Sequence, residues 1–443
     1  MSERKPARQS RVPTTRVGRL VRLGFTAGEL AIGGLAEGVR RATGKKPEDA
    51  VNMFLTAANA DRLARRLARM RGAAMKMGQV LSMEGADIIP EQFSQALSIL
   101  RDSANTMPDS QIRRVMGRAY GKGWEQRFEH FEFEPIAAAS IGQVHRAITK
   151  DGRDLALKIQ YPGVAKSIDS DVDNMAMFLR MAKILPVEID VKGIITEAKR
   201  QLRQEADYTI EADYLRAYRE LVKDEDQFIV PKVHDDFTTR HILAMDHVTG
   251  VPLESLGEEG VPQEERDRVG QLLETLLFME LFEFRTMQTD PNFANYLYQP
   301  ETGRIVLLDF GSTKTFEEDF VDGYRDIARA LISDNDENVM HYAEQIGYMD
   351  PDVSPAHAWR LLEMIQLICE PIRKDEVYDF ASSDMTVRAR DAGMEMMMKS
   401  RMDELKTPPP ETVFLHRKLV GSYLICARIK ARVNVQELIL EHL

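Results

Sequence analysis

The spacing of apolar residues divides the chain into a helical first part, a stretch of short strands and a longer helical second part. From Pro47 to about Tyr120, apolar residues recur three or four positions apart with Arg and Lys between them, which predicts amphipathic helices. From Phe131 the pattern changes to short β-like runs, and helical periodicity returns from Glu264. We therefore expect an α+β protein that is mostly helical.

Several short runs of apolar and β-branched residues predict strands. They are Phe131–Ile136, Gly142–Ile148, Arg153–Gln160, Phe228–Val233 and Arg240–Met245. Lys150-Asp151-Gly152 predicts a hairpin turn between the second and third runs, because Asp-Gly accepts the positive φ angles of tight turns. The first three runs are expected to form an antiparallel sheet, and the last two are expected to be further strands of the same lobe.

Helical periodicity accounts for most of the remaining chain. The predicted helices are Ile168–Leu185, Val191–Arg219, Glu264–Phe284 and several from Glu317 to the end, and a hairpin of Asn295–Tyr298 with Arg304–Leu308 interrupts them. These elements predict four segments. They are a basic, small-residue segment at 1–46, a helical extension at 47–125, a strand-rich lobe at 126–250 and a helical lobe at 251–443.

Composition and charge narrow the possible environments and partners. Hydrophobic residues make up 44% and charged residues 29% of the 443 positions, as in ordinary globular proteins. Only Cys369 and Cys426 are present, too few for a disulfide framework or a cysteine-based metal site, so a reducing compartment is expected. The net charge of −11 argues against nucleic acid as the main partner, because phosphate backbones reward clustered positive charge.

The first segment is basic although the whole chain is acidic. Seven Arg and Lys side chains lie from Arg4 to Arg22, and a small and apolar run extends from Leu20 to Leu35. That run contains Glu29 and several glycines, and no stretch reaches the roughly 20 apolar residues of a membrane span. We expect this segment to attach to a membrane surface; a cleaved targeting sequence or a disordered tail would fit the same composition.

Side-chain alternation in the run Arg153–Gln160 places Ala156 and Lys158 on one face and apolar residues on the other. This arrangement suits a nucleotide pocket, in which Ala156 lies flat against a base and Lys158 reaches phosphate oxygens. By itself the pattern fits a half-exposed edge lysine equally well.

The second half of the chain supplies the context for that lysine. Asp290 is followed five residues later by Asn295, and the next hairpin ends in Asp309-Phe310-Gly311, as in enzymes that transfer phosphoryl groups. Asp309 and Asn295 would offer carboxylate and amide oxygens to Mg²⁺, which prefers oxygen ligands. Asp290 would orient the attacking hydroxyl or water.

Two common phosphate-binding signatures are missing from the sequence. There is no G-x-x-x-x-G-K-[ST] and no G-x-G-x-x-G. Where a glycine-rich loop would stand, the chain has Ala137-Ala138-Ala139-Ser140-Ile141-Gly142-Gln143. Successive alanines are confined mostly to α and β conformations, so we expect this loop to be stiffer and to restrain phosphoryl transfer.

Further motifs specify a family. The chain has a K-x-G-Q run at Lys76–Gln79, the Ala-rich loop at Ala137–Gln143 and an E-x-D run at Glu205–Asp207. In this combination it resembles the UbiB family of atypical kinases, which act in coenzyme Q (ubiquinone) synthesis. The branch that includes the mitochondrial members is similar in three more runs, which are Val12–Arg16, Gln288–Asn292 and Leu415–Lys418. The resemblance covers nearly the whole chain.

The resemblance implies a two-lobed protein-kinase-like fold with an N-terminal helical extension that carries K-x-G-Q, and it implies binding of ATP or ADP with Mg²⁺. The implied catalytic residues are Asp290, Lys158, Glu205 and Lys76, with Asn295 and Asp309 as metal ligands. The implied nucleotide contacts are Gln79, Ala137, Ala138, Ala139, Ser140, Gln143, Ala156, Lys158 and Asp207. Gln201 stands where the family usually has a second Glu, so the acidic partner of Lys158 is open between Glu205 and Glu197, and we favour Glu205.

The resemblance also implies ATPase or small-molecule kinase activity, and no room for a peptide-docking segment remains between Gly311 and Glu317. The alternative is a low-turnover, nucleotide-binding scaffold that organises quinone-biosynthesis enzymes. A choline-kinase-like phosphotransferase would leave Lys76–Gln79 unexplained. Membrane lipids, quinone intermediates and quinone-biosynthesis enzymes are the expected partners, a homodimer stays open, and nucleic acid is not expected. The expected location is the cytoplasmic side of the inner membrane, or the matrix side in a eukaryote.

Overall fold

The computed structural model describes residues 106–181, 191–399 and 410–443. The predicted membrane-associating segment and most of the predicted helical extension, with Lys76 and Gln79, lie outside these residues. The chain divides into two compact units. The first comprises the described residues up to Asp213 together with Lys232–His247, and the second comprises Tyr214–Pro231 and Val248–Leu443.

The first unit contains an antiparallel sheet. Its strands are β1 (Phe128–Phe131), β2 (Ala137–Ala138), β3 (Gly142–Thr149) and β4 (Asp154–Gln160), and β6 (Ile242–Asp246) joins them after β5 (Phe228–Ile229) of the second unit. The order is β1-β3-β4-β6, and β2 also pairs with β3. The predicted turn between β3 and β4 is confirmed, because Gly152 has a φ of 83° and donates its N–H to the Thr149 carbonyl.

The first predicted strand was placed too late. The structure ends β1 at Phe131, whereas the prediction began there and continued to Ile136. Pro135 lies in the predicted run and has no N–H to donate to a neighbouring strand. Phe128 instead turns into the core, where its ring contacts Trp124 at a centroid distance of 6.0 Å.

The core of the first unit lies between the sheet and helix α1 (Asp109–Tyr120). Leu155, Leu157 and Ile159 are fully buried there, as the alternation of β4 predicts. Ala156 and Lys158 on the opposite face are also buried, so β4 is covered on both sides. Because β3 and β6 flank β4, the predicted alternative of an edge lysine is wrong.

Three helices follow the β3–β4 hairpin: α2 (Val164–Met181), α3 (Val191–Glu205) and α4 (Tyr208–Leu221). The prediction of one helix over Val191–Arg219 is wrong, because α3 ends at Glu205 and α4 begins at Tyr208. Asp207 Oδ1 accepts hydrogen bonds from the N–H of Thr209 at 3.2 Å and from its hydroxyl at 2.6 Å, which caps the start of α4. The apolar spacing continues through the break and therefore did not reveal it.

The second unit has a small mixed sheet of β5, β7 (Val251–Pro252), β9 (Tyr296–Gln299) and β10 (Arg304–Leu307), in the order β5-β10-β9-β7. The β9–β10 pair confirms the predicted hairpin. The predicted strand Phe228–Val233 is divided: β5 pairs in parallel with β10, and Val233 forms an antiparallel bridge with Met245 of β6. Two short strand pairs join β8 (Thr286–Gln288) to β11 (Thr313–Thr315) and β12 (Tyr378–Asp379) to β13 (Arg432–Val433).

Helices make up most of the second unit. They are α5 (Gln263–Phe278), α6 (Glu318–Ile332), α7 (Asp336–Gln345), α8 (Pro355–Ile368), α9 (Met385–Lys399), α10 (Pro410–Ile429) and α11 (Val435–Leu440). A π-helical turn, Met279–Glu283, extends α5. The α+β class is confirmed. Within the described ranges, no helix combines the length and apolar character needed to cross a bilayer.

Candidate active site

Lys158 lies on β4, an inner strand of the sheet in the first unit. Its neighbours across the sheet are Val144 on β3 and Leu243 on β6, and only 6% of the residue is exposed. Its Nζ donates to Glu211 Oε1 over 2.7 Å and lies 5.5 Å from the centre of the Tyr208 ring. A buried ammonium needs such partners, because leaving water is costly for a charge.

The pairing of Lys158 with Glu211 corrects the preference for Glu205. Glu205 is the last residue of α3, and its Oε2 lies 3.4 Å from the Ser140 hydroxyl. Glu211 lies on α4, a separate helix that begins after the break at Glu205. The side chain of Glu197 lies outside the described part of the chain. The sequence signal for Glu211 was an acidic residue one turn after the start of α4, and it could be recognised only once that start was known.

The Ala-rich loop forms the outer edge of the sheet. Ala137 and Ala138 form β2 and are exposed, and the Ala139 N–H donates to the Gly142 carbonyl at 3.0 Å. A Cβ on Gly142 would stand 2.4 Å from the Ile159 carbonyl oxygen, so only glycine fits there. Backbone pairing to β3 therefore holds the alanines of the loop in place.

Two predicted nucleotide contacts have structural partners in the first unit. The Oε1 of buried Gln143 accepts the Met107 N–H at 2.8 Å. Asp207 caps α4, and its Oδ2 lies 3.2 Å from Arg240 Nε. Ala156 faces the same side of β4 as Lys158, as predicted, and pairs with Met245 across the sheet. The roles of these residues toward a nucleotide stay predictions.

Asp290 and Asn295 lie in one short loop of the second unit. The loop ends in a 3₁₀ turn, Phe293–Asn295, whose first N–H groups are capped by Asn292: Oδ1 accepts from the Ala294 N–H at 3.1 Å. Asn295 Nδ2 donates to the Asp290 carbonyl oxygen at 2.8 Å. A carbonyl can only accept, so the amide nitrogen of Asn295 makes this bond and the amide oxygen is not used in it. The oxygen that the prediction assigned to a metal is therefore the one left for it.

Arg417, on α10, binds the Asp290 carboxylate: Nη2 donates to Oδ1. Four residues further along α10, a Cβ on Gly421 would come within 1.9 Å of Pro291 Cγ. The missing side chain lets α10 lie directly against the Asp290 loop. No role could be predicted for the Leu415–Lys418 run, because Arg417 and its partner Asp290 are 127 residues apart along the chain.

Asp309 follows β10, and its Oδ1 accepts the Gly311 N–H at 2.9 Å. Phe310 is buried, and its ring centre lies 4.7 Å from that of Tyr218. These contacts fix the backbone that follows Asp309.

The donors Asp309 and Asn295 fit the chemistry of Mg²⁺, which in phosphoryl-transfer sites takes one or two protein oxygens and completes its shell with phosphate oxygens and water. In the described ranges, no group of three or more His, Cys, Asp or Glu side chains is arranged to hold a metal by itself. Mg²⁺ held by these two side chains would take its other oxygens from nucleotide phosphates and water.

A second charged pair lies buried behind the Asp290 loop. Lys418 Nζ is 2.7 Å from Glu280 Oε2, and Glu280 has no exposed surface. Burial alone would lower the pKa of Lys418, but the adjacent Glu280 carboxylate and Tyr296 raise this pKa above its ordinary value. Burial, together with the Glu280 charge, raises the pKa of Tyr218 well above its ordinary value. Lys418 is thus a cation and Tyr218 a neutral donor at neutral pH. Glu280 was not predicted as a functional residue, because the apolar spacing predicts one helix over Glu264–Phe284.

Comparison with known proteins places these features in context. The model of the ABC1 atypical kinase-like domain matches residues 99–343. The mitochondrial atypical kinase coq-8 of Caenorhabditis elegans is 38% identical, and the match covers 96% of this chain and 57% of that protein. The mitochondrial atypical kinase COQ8 of Saccharomyces cerevisiae is 35% identical, with 98% and 86% covered.

A solved structure is also similar. The Rv3197–erythromycin complex from Mycobacterium tuberculosis has 28% sequence identity and a TM-score of 0.61, and the match covers 90% of this chain and 98% of that one.

Proposed function

Because the chain belongs to the ABC1 atypical kinase-like family, as its motifs predicted, we propose that it binds ATP with Mg²⁺ and hydrolyses it, or transfers its terminal phosphoryl group, in support of ubiquinone synthesis. The observation that carries this proposal is the Asp290–Asn295 loop, in which the Asn295 amide is hydrogen-bonded to the Asp290 backbone at 2.8 Å. That bond uses the amide nitrogen and leaves the amide oxygen available as a metal ligand, which supports the proposal.

Each group of this loop has a distinct role in the proposal. The Asp290 carboxylate orients the attacking hydroxyl or water and accepts its proton as the bond to phosphorus forms. Asn295 and Asp309 would hold Mg²⁺, which when bound neutralises charge on the phosphates. In the first unit, Lys158 is the phosphate-binding cation, and Glu211 holds its ammonium group in position.

A small or lipid acceptor, or water, suits this chain better than a protein. Only Phe316 and Glu317 separate β11 from α6, so the long segment on which protein kinases dock peptides is missing from this described region. We propose quinone intermediates at a membrane as the molecules acted on or extracted, with the basic N-terminal segment binding anionic lipid. The low-turnover scaffold is the second candidate, although the retained metal and base positions argue against it.

The test couples enzymology to metabolite profiling. Purified protein should hydrolyse ATP only with Mg²⁺ and faster with anionic liposomes, and cells lacking the protein should accumulate an early prenylated quinone precursor. Asp290→Asn should lower turnover by roughly 100-fold, as loss of a positioned base does, while ATP binding is kept. A wild-type protein that binds ATP but turns over no faster than Asp290→Asn would favour the scaffold. Normal quinone profiles in the deleted cells would overturn the proposed pathway.

The Ala-rich loop gives a separate prediction. Ala138→Gly should increase loop freedom, alter the relative affinities for ATP and ADP, and raise autophosphorylation, because glycine lets the backbone fold toward phosphates. Ala138 is exposed, so the unfolding temperature should stay near that of the wild type. Nucleotide titrations and incorporation of labelled phosphate measure the effect, and Ala119→Gly on α1 controls for added backbone freedom elsewhere. If nucleotide preference and autophosphorylation did not change, the loop would be a neutral replacement for a glycine-rich one.

A further inference from the structure

The Glu280–Lys418 pair has no part in the chemistry proposed above. Nζ lies 2.7 Å from Glu280 Oε2, and the side chains are 5% and 0% exposed. Burying two charges costs desolvation that their attraction often fails to recover, so such a pair is a poor device for stability alone. The partners that surround it indicate another use.

Glu280 connects two segments that carry the predicted active-site residues. Its Oε1 accepts the backbone N–H of Gln288 at 2.9 Å, two residues before Asp290. The same oxygen accepts the hydroxyl of Tyr218 at 2.8 Å. The Tyr218 ring in turn packs on Phe310, next to Asp309. The Glu280 carboxylate thus holds the backbone that leads into the Asp290 loop. Through the Tyr218 ring it also holds Phe310, the residue after Asp309.

Lys418 extends the same connection to the other end of the loop. Its Nζ lies 3.5 Å from the hydroxyl of Tyr296, the residue that follows Asn295. The preceding residue on α10, Arg417, binds the Asp290 side chain. The pair therefore contacts the chain just before Asp290 and just after Asn295. Helix α10, which carries Lys418, also contacts Asp290 itself.

Little free space separates the pair from the metal-binding positions. A cavity of about 10 Å³ lies among Glu280, Lys418, Asn295 and Asp309, and one water molecule would fill it. A shift of the charged pair would therefore be transmitted to the loop, since close-packed groups cannot absorb the movement.

We propose that Glu280 and Lys418 are positioning residues that hold the Asp290–Asn295 loop and the Phe310 ring in the geometry required for phosphoryl transfer. This inference rests on the proposed function for its kinetic consequence, but its structural consequence can be measured without it. Neither side chain is assigned a contact with the nucleotide, so binding should be largely independent of the pair.

The variant to test is Glu280→Gln with Lys418→Met, which removes both charges and leaves no lone buried ion. We expect kcat to fall about 100-fold, as a misplacement of about 1 Å does, with the Kd for ATP within about threefold of wild type. Tyr218→Phe is a milder second variant, because it removes one hydrogen bond to Glu280 and keeps the ring on Phe310. Its kcat should fall about fivefold, the equivalent of one hydrogen bond.

Glu274→Gln is the matched control. Glu274 is a buried carboxylate on α5, and its Oε1 accepts from Ser422 Oγ at 2.7 Å and from Cys426 Sγ at 3.4 Å on α10. The amide oxygen of Gln can accept both hydrogen bonds, so Gln is a close replacement. The control changes the same two helices without touching the Asp290 loop, and its kcat should stay within about threefold of wild type.

Hydrogen exchange separates failure of this inference from failure of the proposed function. In the paired variant, amides from Gln288 to Asn295 should exchange at least about tenfold faster than in wild type, and in Glu274→Gln they should not. Faster exchange would support the positioning role even if the wild type hydrolysed no ATP. Unchanged exchange with unchanged kcat would overturn the inference. So would equal losses in the variant and the control, or a fall in ATP affinity that matches the fall in kcat. If the paired variant failed to fold, a wild-type kcat in Tyr218→Phe would overturn it.

Discussion

Asp309→Asn is expected to lower Mg²⁺-dependent ATP hydrolysis by at least about 100-fold and to leave the fold intact. A metal ion at the phosphates stabilises the transition state by several kcal/mol, and each 1.4 kcal/mol is a factor of ten in rate. Asp309 Oδ1 accepts the Gly311 N–H at 2.9 Å, and an amide oxygen can keep that bond. The substitution therefore removes the charge that holds the metal without releasing the local turn. Steady-state hydrolysis across a range of Mg²⁺ concentrations measures the effect.

Asp379→Asn provides the control for this substitution. Asp379 also accepts an N–H two residues later, from Ala381 at 3.0 Å, and it is an exposed residue of the second unit. Its exchange for Asn should change hydrolysis by less than about twofold, because surface substitutions rarely matter. Hydrolysis by Asp309→Asn within twofold of wild type would remove Asp309 from the metal site.

Local sequence pattern predicted the parts of the fold that depend on neighbouring residues. The β3–β4 and β9–β10 hairpins are short-range pairings, and each is bounded by turn residues such as Gly152 and Gly303 with positive φ. Lys158 was placed on the face shared with Ala156 because strand side chains alternate strictly. The order Asp290, Asn295, Asp309 then identified the remaining groups, since their spacing is set by one loop and one hairpin.

The features that sequence did not predict depend on contacts between distant segments. The break between α3 and α4 is made by the side chain of Asp207, while the apolar periodicity continues across it. Arg417 pairs with Asp290, and Lys418 pairs with Glu280. The partners are more than one hundred residues apart, so no local pattern predicts which acidic side chain a buried Arg or Lys will contact. Glu280 lies in a π-helical turn among apolar residues. Their spacing also fits an ordinary α-helix, so the sequence did not distinguish Glu280 from other helical residues.

The identity of the acid paired with Lys158 leads to the second prediction with a large effect. Glu211→Ala should lower the free energy of unfolding by about 3–5 kcal/mol, because it removes the carboxylate 2.7 Å from a buried ammonium. Asp173→Ala is the matched control in the first unit: its carboxylate pairs with Lys199 at 2.6 Å but is 57% exposed. Exposed pairs contribute at most about 1 kcal/mol. Denaturant titrations of the three proteins would show the difference.

A further variant distinguishes a pair kept for binding from one kept for stability. Lys158→Met with Glu211→Leu replaces the buried charges by apolar side chains of similar size, which should recover most of the stability lost in Glu211→Ala. ATP affinity should nevertheless fall at least about tenfold, because no cation is left on β4 to meet the phosphates. Recovery of both stability and ATP affinity would show that the pair is structural and that the phosphates bind elsewhere. A loss below about 1 kcal/mol in Glu211→Ala would show that Glu211 is not the acid on which Lys158 depends.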